Sequence, residues 1–87
     1  MMFDGETYDE ALDEDRLKTQ LARVRALMWD QRWRTLDDIS RATGDPQASV
    51  SARLRDLRKG KHGAHIVERE RVRRGLYRYR LLPGDNQ

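Results

Sequence analysis

The sequence predicts an α+β, mainly α fold in which three helices precede a C-terminal β-hairpin. Three observations lead there. Apolar residues recur at helical spacing from Leu17 to Met28, two short helix-like segments are separated only by Thr43-Gly44-Asp45, and the run Leu76 to Leu82 alternates with period two.

The first helix is expected over about residues 13–30. Leu17, Leu21, Val24 and Met28 follow steps of four, three and four, which puts them on one face. Asp13, Glu14 and Asp15 stand at its start, where carboxylates complement the helix dipole. Trp29 and Trp33 read as packing at its far end. Trp33-Arg34 then breaks the pattern and leaves room for a strand of one or two residues. Thr35, with Asp38 three positions on, reads as the N-cap of a second helix of about two turns. Its apolar face is Leu36, Ile39 and Ala42, and Gly44 suits the left-handed position that ends it. Asp45 is a candidate cap for a third helix, with Pro46 at its first position and an end near Lys59, before Gly60. Two helices joined by so short a link have the spacing of a helix-turn-helix.

Ala64 to Val72 and Leu76 to Leu82 are expected to pair as antiparallel strands across the turn Arg73-Arg74-Gly75. Tyr77, Tyr79 and Leu81 then face inward onto the third helix, while Arg78 and Arg80 face outward. Glu68 and Glu70 are expected to pair with cross-strand arginines. The chain divides accordingly into an acidic flexible arm (1–12), one folded domain (13–82) and a flexible tail (83–87).

Composition limits the function. With 87 residues, 37% of them hydrophobic, the chain supports one modest core. It has no cysteine, which excludes disulfides and thiolate zinc sites. No apolar run approaches the roughly 20 residues of a membrane span, so a cytoplasmic protein without a membrane partner is expected. The formal charge of +3 conceals an asymmetry: residues 1–15 hold seven acids and no Lys or Arg, whereas all 18 Lys and Arg lie in residues 16–87 against eight acids. Such a density of positive charge suits a polyanion, because each neutralised phosphate releases condensed counterions.

The order of elements, the stretch Thr35-Leu36-Asp37-Asp38-Ile39-Ser40-Arg41-Ala42-Thr43-Gly44, and the pattern Val50-Ser51-x-x-Leu54-x-x-Leu57 resemble the winged helix-turn-helix superfamily. They look like the DNA-binding core of bacterial multiple-antibiotic-resistance and arsenic-resistance type repressors, over roughly residues 17–82. The resemblance implies double-stranded DNA as partner, with the third helix (46–59) in the major groove and the hairpin, which carries Arg69, Arg71, Arg73, Arg74, Arg78 and Arg80, as a wing (69–78). Within these 87 residues no ligand-sensing domain and no long C-terminal dimerisation helix accompanies that core, so effector sensing is not part of the expectation.

On the third helix, Val50, Leu54 and Leu57 form a stripe that must be buried, which turns Ala48, Ala52, Arg55 and Lys59 outward, flanked by Gln47, Ser49, Ser51 and Arg58. Small and polar residues at Ala48, Ser49, Ser51 and Ala52 permit close approach to base edges. Gln47 suits adenine and Arg55 guanine, and Ser49 and Ser51 suit bases or phosphates. Arg58 and Lys59 extend the basic surface. Arg73 and Arg74, at the hairpin turn, are placed to lie along phosphates or to enter a narrow minor groove.

Metal, cofactor and catalytic chemistry are not expected. His62 and His65 lack the company a metal site requires and are expected to hydrogen-bond phosphate instead. No Gly-rich phosphate loop, clustered carboxylates or Ser/His partner spacing is present, so the chain reads as a non-enzyme. The minimal size suggests a small transcriptional regulator or a phage or mobile-element accessory factor. Palindromic sites would require a homodimer, to which the first helix and the acidic arm are candidate contributors. The alternative is a protein-interaction module that presents residues 1–15 to a basic partner surface.

Overall fold

A computed structural model describes residues 10–84, and its element order matches the expected one. Helix α1 spans Glu10–Met28, strand β1 Arg34–Thr35, helix α2 Leu36–Thr43 and helix α3 Gln47–Leu57; a 3-10 turn at Gly60–His62 precedes strands β2 (Ile66–Arg73) and β3 (Leu76–Leu82). The fold is α+β and mainly α, a three-helix winged arrangement with a C-terminal hairpin. No helix among the described residues is long and apolar enough to cross a membrane.

Of the α1 stripe, Val24 and Met28 are fully enclosed and Leu21 is nearly so, whereas Leu17 is half-buried and stands outside the core. Leu21, Val24 and Met28 meet Ile39 of α2, Val50, Leu54 and Leu57 of α3, and Val67 and Leu81 of the sheet, which together form one core. Helix α1 begins at Glu10, three residues before its expected start, so the stretch leading to Leu12 is helical. The rest of the arm lies outside the described residues. At the other end Gly84 is buried, with its N–H donated to His65 Nδ1 (2.8 Å), so the domain extends past residue 82.

Helix α2 carries the capping box read from its sequence. The Thr35 hydroxyl accepts from the Asp38 N–H (3.1 Å), and the Asp38 carboxylate accepts from the Thr35 N–H (3.0 Å). Its apolar face is narrower than expected, because Ala42 is exposed and Ile39 alone is fully buried. Gly44 takes the left-handed conformation (φ 82°), and its N–H returns to the Ser40 carbonyl.

Asp45 does not cap α3. Pro46 occupies the cap position without a side-chain hydrogen bond, and the Asp45 carboxylate turns inward to Arg23. A carboxylate 5% exposed gains more from a bidentate guanidinium than from a backbone N–H. Helix α3 stops at Leu57, two residues short of the expected end. There the N–H groups of Arg58 and Lys59 tighten to i−3 bonds, and the Ala64 and His65 N–H groups fold back to the Lys59 and Leu57 carbonyls.

The sheet order is β1-β3-β2, all antiparallel. Register puts Val67, Arg69 and Arg71 opposite Leu81, Tyr79 and Tyr77 on one face, and Ile66, Glu68 and Glu70 opposite Leu82, Arg80 and Arg78 on the other. A register shift between Arg71 and Arg73 bulges the strand at Val72, just before the turn Arg74-Gly75.

Candidate nucleic-acid interface

The buried stripe of α3 leaves Gln47, Ala48, Arg55, Arg58 and Lys59 exposed and Ser49, Ser51 and Ala52 half-buried. The turn between α2 and α3 is held to α1 by the Arg23–Asp45 clasp, whose Nη2–Oδ1 distance is 2.6 Å. The Arg23 hydrogen bond holds the Asp45 carboxyl below the usual carboxylate range, against the opposing effect of burial. The Ser40 hydroxyl donates to the Asp45 carbonyl (2.6 Å) and closes the turn. The N-terminal end of α3 is therefore set rigidly relative to the core.

Two clefts border α3. One, of about 150 Å³, runs between its C-terminal half and the hairpin and is lined by Ser51, Arg55, Arg58, Arg69 and Tyr79. The other, of about 270 Å³, brings the hairpin turn at Gly75 and Leu76 beside Asp37 and Gln47. The hairpin thus lies along α3, with its turn close to the helix N-terminus.

Hydrogen bonds and ion pairs sort the basic residues. Arg78 and Arg80, on the outer face of the hairpin, pair with Glu70 and Glu68 as register demands, and both guanidiniums stack over Trp33 at 5.2 and 4.7 Å. Trp33 therefore packs on the sheet and not on the end of α1. Trp29 is 43% exposed, its ring edge-on to His65. Arg34 is tied to Asp30 and Arg41 to Asp37. Among the described residues Arg25, Arg32, Arg55, Arg71, Arg73 and Arg74 are exposed and form no ion pair; the last four lie on α3 and the hairpin. Arg69 lies over the Tyr77 ring at 4.7 Å.

The expected reading residues fare differently. Arg55 stands free on the outer face of α3, and Arg73 and Arg74 stand free at the hairpin turn. Ser51 lines the groove beside Arg55, and Ser49 is half-buried. Gln47 donates its side-chain amide to Asp37 over 3.4 Å, a long bond that base contact would have to displace. Arg58 donates to the Val67 carbonyl (2.9 Å) and so joins α3 to β2. Lys59 pairs with Asp56 (3.1 Å) and lines a different concavity, toward α1. Arg69 and Arg71 fall within the expected wing but were not among its expected contact residues. Their signal was present in the register, since they share a face with Tyr77 and Tyr79.

His65 is not a phosphate ligand. It is 7% exposed, and its Nδ1 accepts the Gly84 N–H, so the ring is the neutral tautomer. Burial, then the Arg25 charge, pushes its pKa below the ordinary histidine value. No group of three or more His, Cys, Asp or Glu among the described residues is placed to hold a metal ion. Compared with models of protein families, with curated proteins and with solved structures, the chain matches none.

Proposed function

We propose that this protein belongs to the winged helix-turn-helix superfamily and binds double-stranded DNA, with α3 entering the major groove and the β2–β3 turn on backbone phosphates or the adjacent minor groove. The division of the arginines carries the reading. Those on the outer face of the hairpin are neutralised by glutamates, whereas Arg55, Arg71, Arg73 and Arg74 remain without ion pairs on α3 and the facing hairpin. Arg25 and Arg32 are likewise exposed without ion pairs, so the weight lies on the contrast within the hairpin itself. A polyanion that occupies the helix and the hairpin together would use it, because unpaired guanidiniums neutralise phosphate without first breaking an internal bridge. The half-buried Ser51 and small Ala48 let the backbone of α3 approach bases, with Arg55 as the long side chain suited to guanine. The biological role that fits is a small regulator or accessory factor of DNA transactions.

The test is equilibrium binding of the full chain to duplex DNA across a salt series, after selection of bound sites from a random duplex library. Three phosphate contacts, from Arg71, Arg73 and Arg74, predict a slope of about −3 in log K against log salt. Two enriched half-sites about 10 base pairs apart would mark a dimer. Binding that is absent at low salt, or equal for single strands and duplex, would overturn the proposal.

A further inference from the structure

A second basic concavity, of about 360 Å³, lies between α1, the C-terminal end of α3 and the 3-10 turn, and shares no lining residue with the two clefts that border α3 on the hairpin side. Its floor is apolar, formed by Leu17 and Leu21, and its rim carries Lys18, Arg53, Lys59 and Lys61. Asp56 is the one acid among the lining residues, and it is already shared between Arg53 Nε (3.0 Å) and Lys59 Nζ (3.1 Å). Lys18 and Lys61 are exposed and form no ion pair among the described residues. Arg53 lies deeper. Its side chain is 12% exposed, donates to Gln20 (3.2 Å) and stands in ionic contact with Asp56, so it fixes the inner wall of the pocket. An apolar floor inside a ring of surplus cations suits a short acidic segment that also carries an aromatic group.

The chain itself supplies such a segment. Residues 1–9 read MMFDGETYD, with Asp4, Glu6 and Asp9 as charges, Phe3 and Tyr8 as aromatics, and no Lys or Arg. They join α1 at Glu10, seven residues before Leu17, which is about 10 Å along the helix. Nine residues can span about 30 Å, enough to turn back and reach the pocket. The tether also supplies an effective concentration that no free acidic peptide would match. We propose that residues 1–9 dock in this pocket of the same chain, with Phe3 on the leucine floor and Asp4 and Glu6 against Lys18 and Lys61. The acidic segment is then held away from Arg55, Arg73 and Arg74. This inference does not depend on the DNA-binding proposal.

The absence of cysteine makes a direct test available. Full-length Met2→Cys protein, labelled with a nitroxide and with ¹⁵N, is expected to lose the amide signals of Lys61 and His62, which are far from the attachment point in sequence. Arg55 and Arg73 to Gly75 are expected to stay sharp. The additional exchanges Lys18→Glu and Lys61→Glu, both at exposed positions, are expected to restore the lost signals while the remaining spectrum stays folded. Signal loss centred on Arg55 and the hairpin turn, or loss without any centre, would overturn the proposal. So would loss that appears only when spin-labelled chain is mixed with unmodified ¹⁵N chain, because the segment would then belong to a second copy.

Discussion

His65 and the aspartates give single residues control over stability in two separate pH ranges. His65 is buried and neutral, so its proton uptake is harder in the folded chain than in the unfolded one, where it titrates near 6.5. As pH falls through about 6.5 the unfolded state gains protons that the native state refuses, and stability declines until the folded ring is itself protonated. Urea midpoints of the wild type should therefore fall between pH 7 and 5, and those of His65→Gln should be lower at pH 7 but nearly flat. Asp45 acts lower on the scale. Its folded pKa is depressed, first by the Arg23 hydrogen bond, so its contribution is complete above the unfolded carboxylate value of 3.8 and is lost as pH falls through the folded one. Asp45→Ala should cost about 1 kcal/mol at neutral pH, a modest figure because Arg23 is 43% exposed, and the difference from wild type should shrink in acid. The sequence suggested other roles for both residues, phosphate contact for His65 and helix capping for Asp45. Both side chains turn inward for tertiary reasons. The His65 ring fits because Gly63 has no Cβ, which would stand 2.5 Å from Nε2, and Asp45 finds Arg23 from a helix 22 residues earlier.

Among the elements, α2 and α3 were the most legible, since a Thr-x-x-Asp box and a stripe of Val50, Leu54 and Leu57 are local patterns. The hairpin was legible in its pairing, because period two and a short turn fix which glutamate meets which arginine. What the alternation could not reveal was Trp33 under Arg78 and Arg80, which requires β1 to lie beside β3. That placement separates two pairs of arginines with the same composition. Arg78→Ala with Arg80→Ala removes two cross-strand bridges and both stacks on Trp33. It should lower stability by about 1 kcal/mol while changing duplex affinity little. Arg73→Ala with Arg74→Ala should leave the thermal midpoint unchanged and weaken duplex binding about tenfold or more, with a shallower salt slope. Thermal melts and binding isotherms on the two double variants decide the matter, and equal losses of affinity would remove the distinction.

For the whole molecule, one small core joins the three helices to strands β2 and β3, and β1 is held to it through its pairing with β3. Leu57 lies fully enclosed in it at the end of α3. Leu57→Ala should cost about 2–5 kcal/mol, a large part of the roughly 5–15 kcal/mol available to a domain. Circular dichroism should show a single transition displaced to lower temperature, with helix and sheet lost together. A second, later transition would contradict a shared core. The sequence by itself determined the order of elements, the buried faces of α1 and α3, and the surplus of positive charge after residue 15, because periodicity, capping and composition act over a few residues. Only the tertiary structure decided which of those charges remain unpaired. An arginine is neutralised or left free by what stands opposite it across a strand, a turn or a helix packing, and that neighbour is set by register and contact between distant segments.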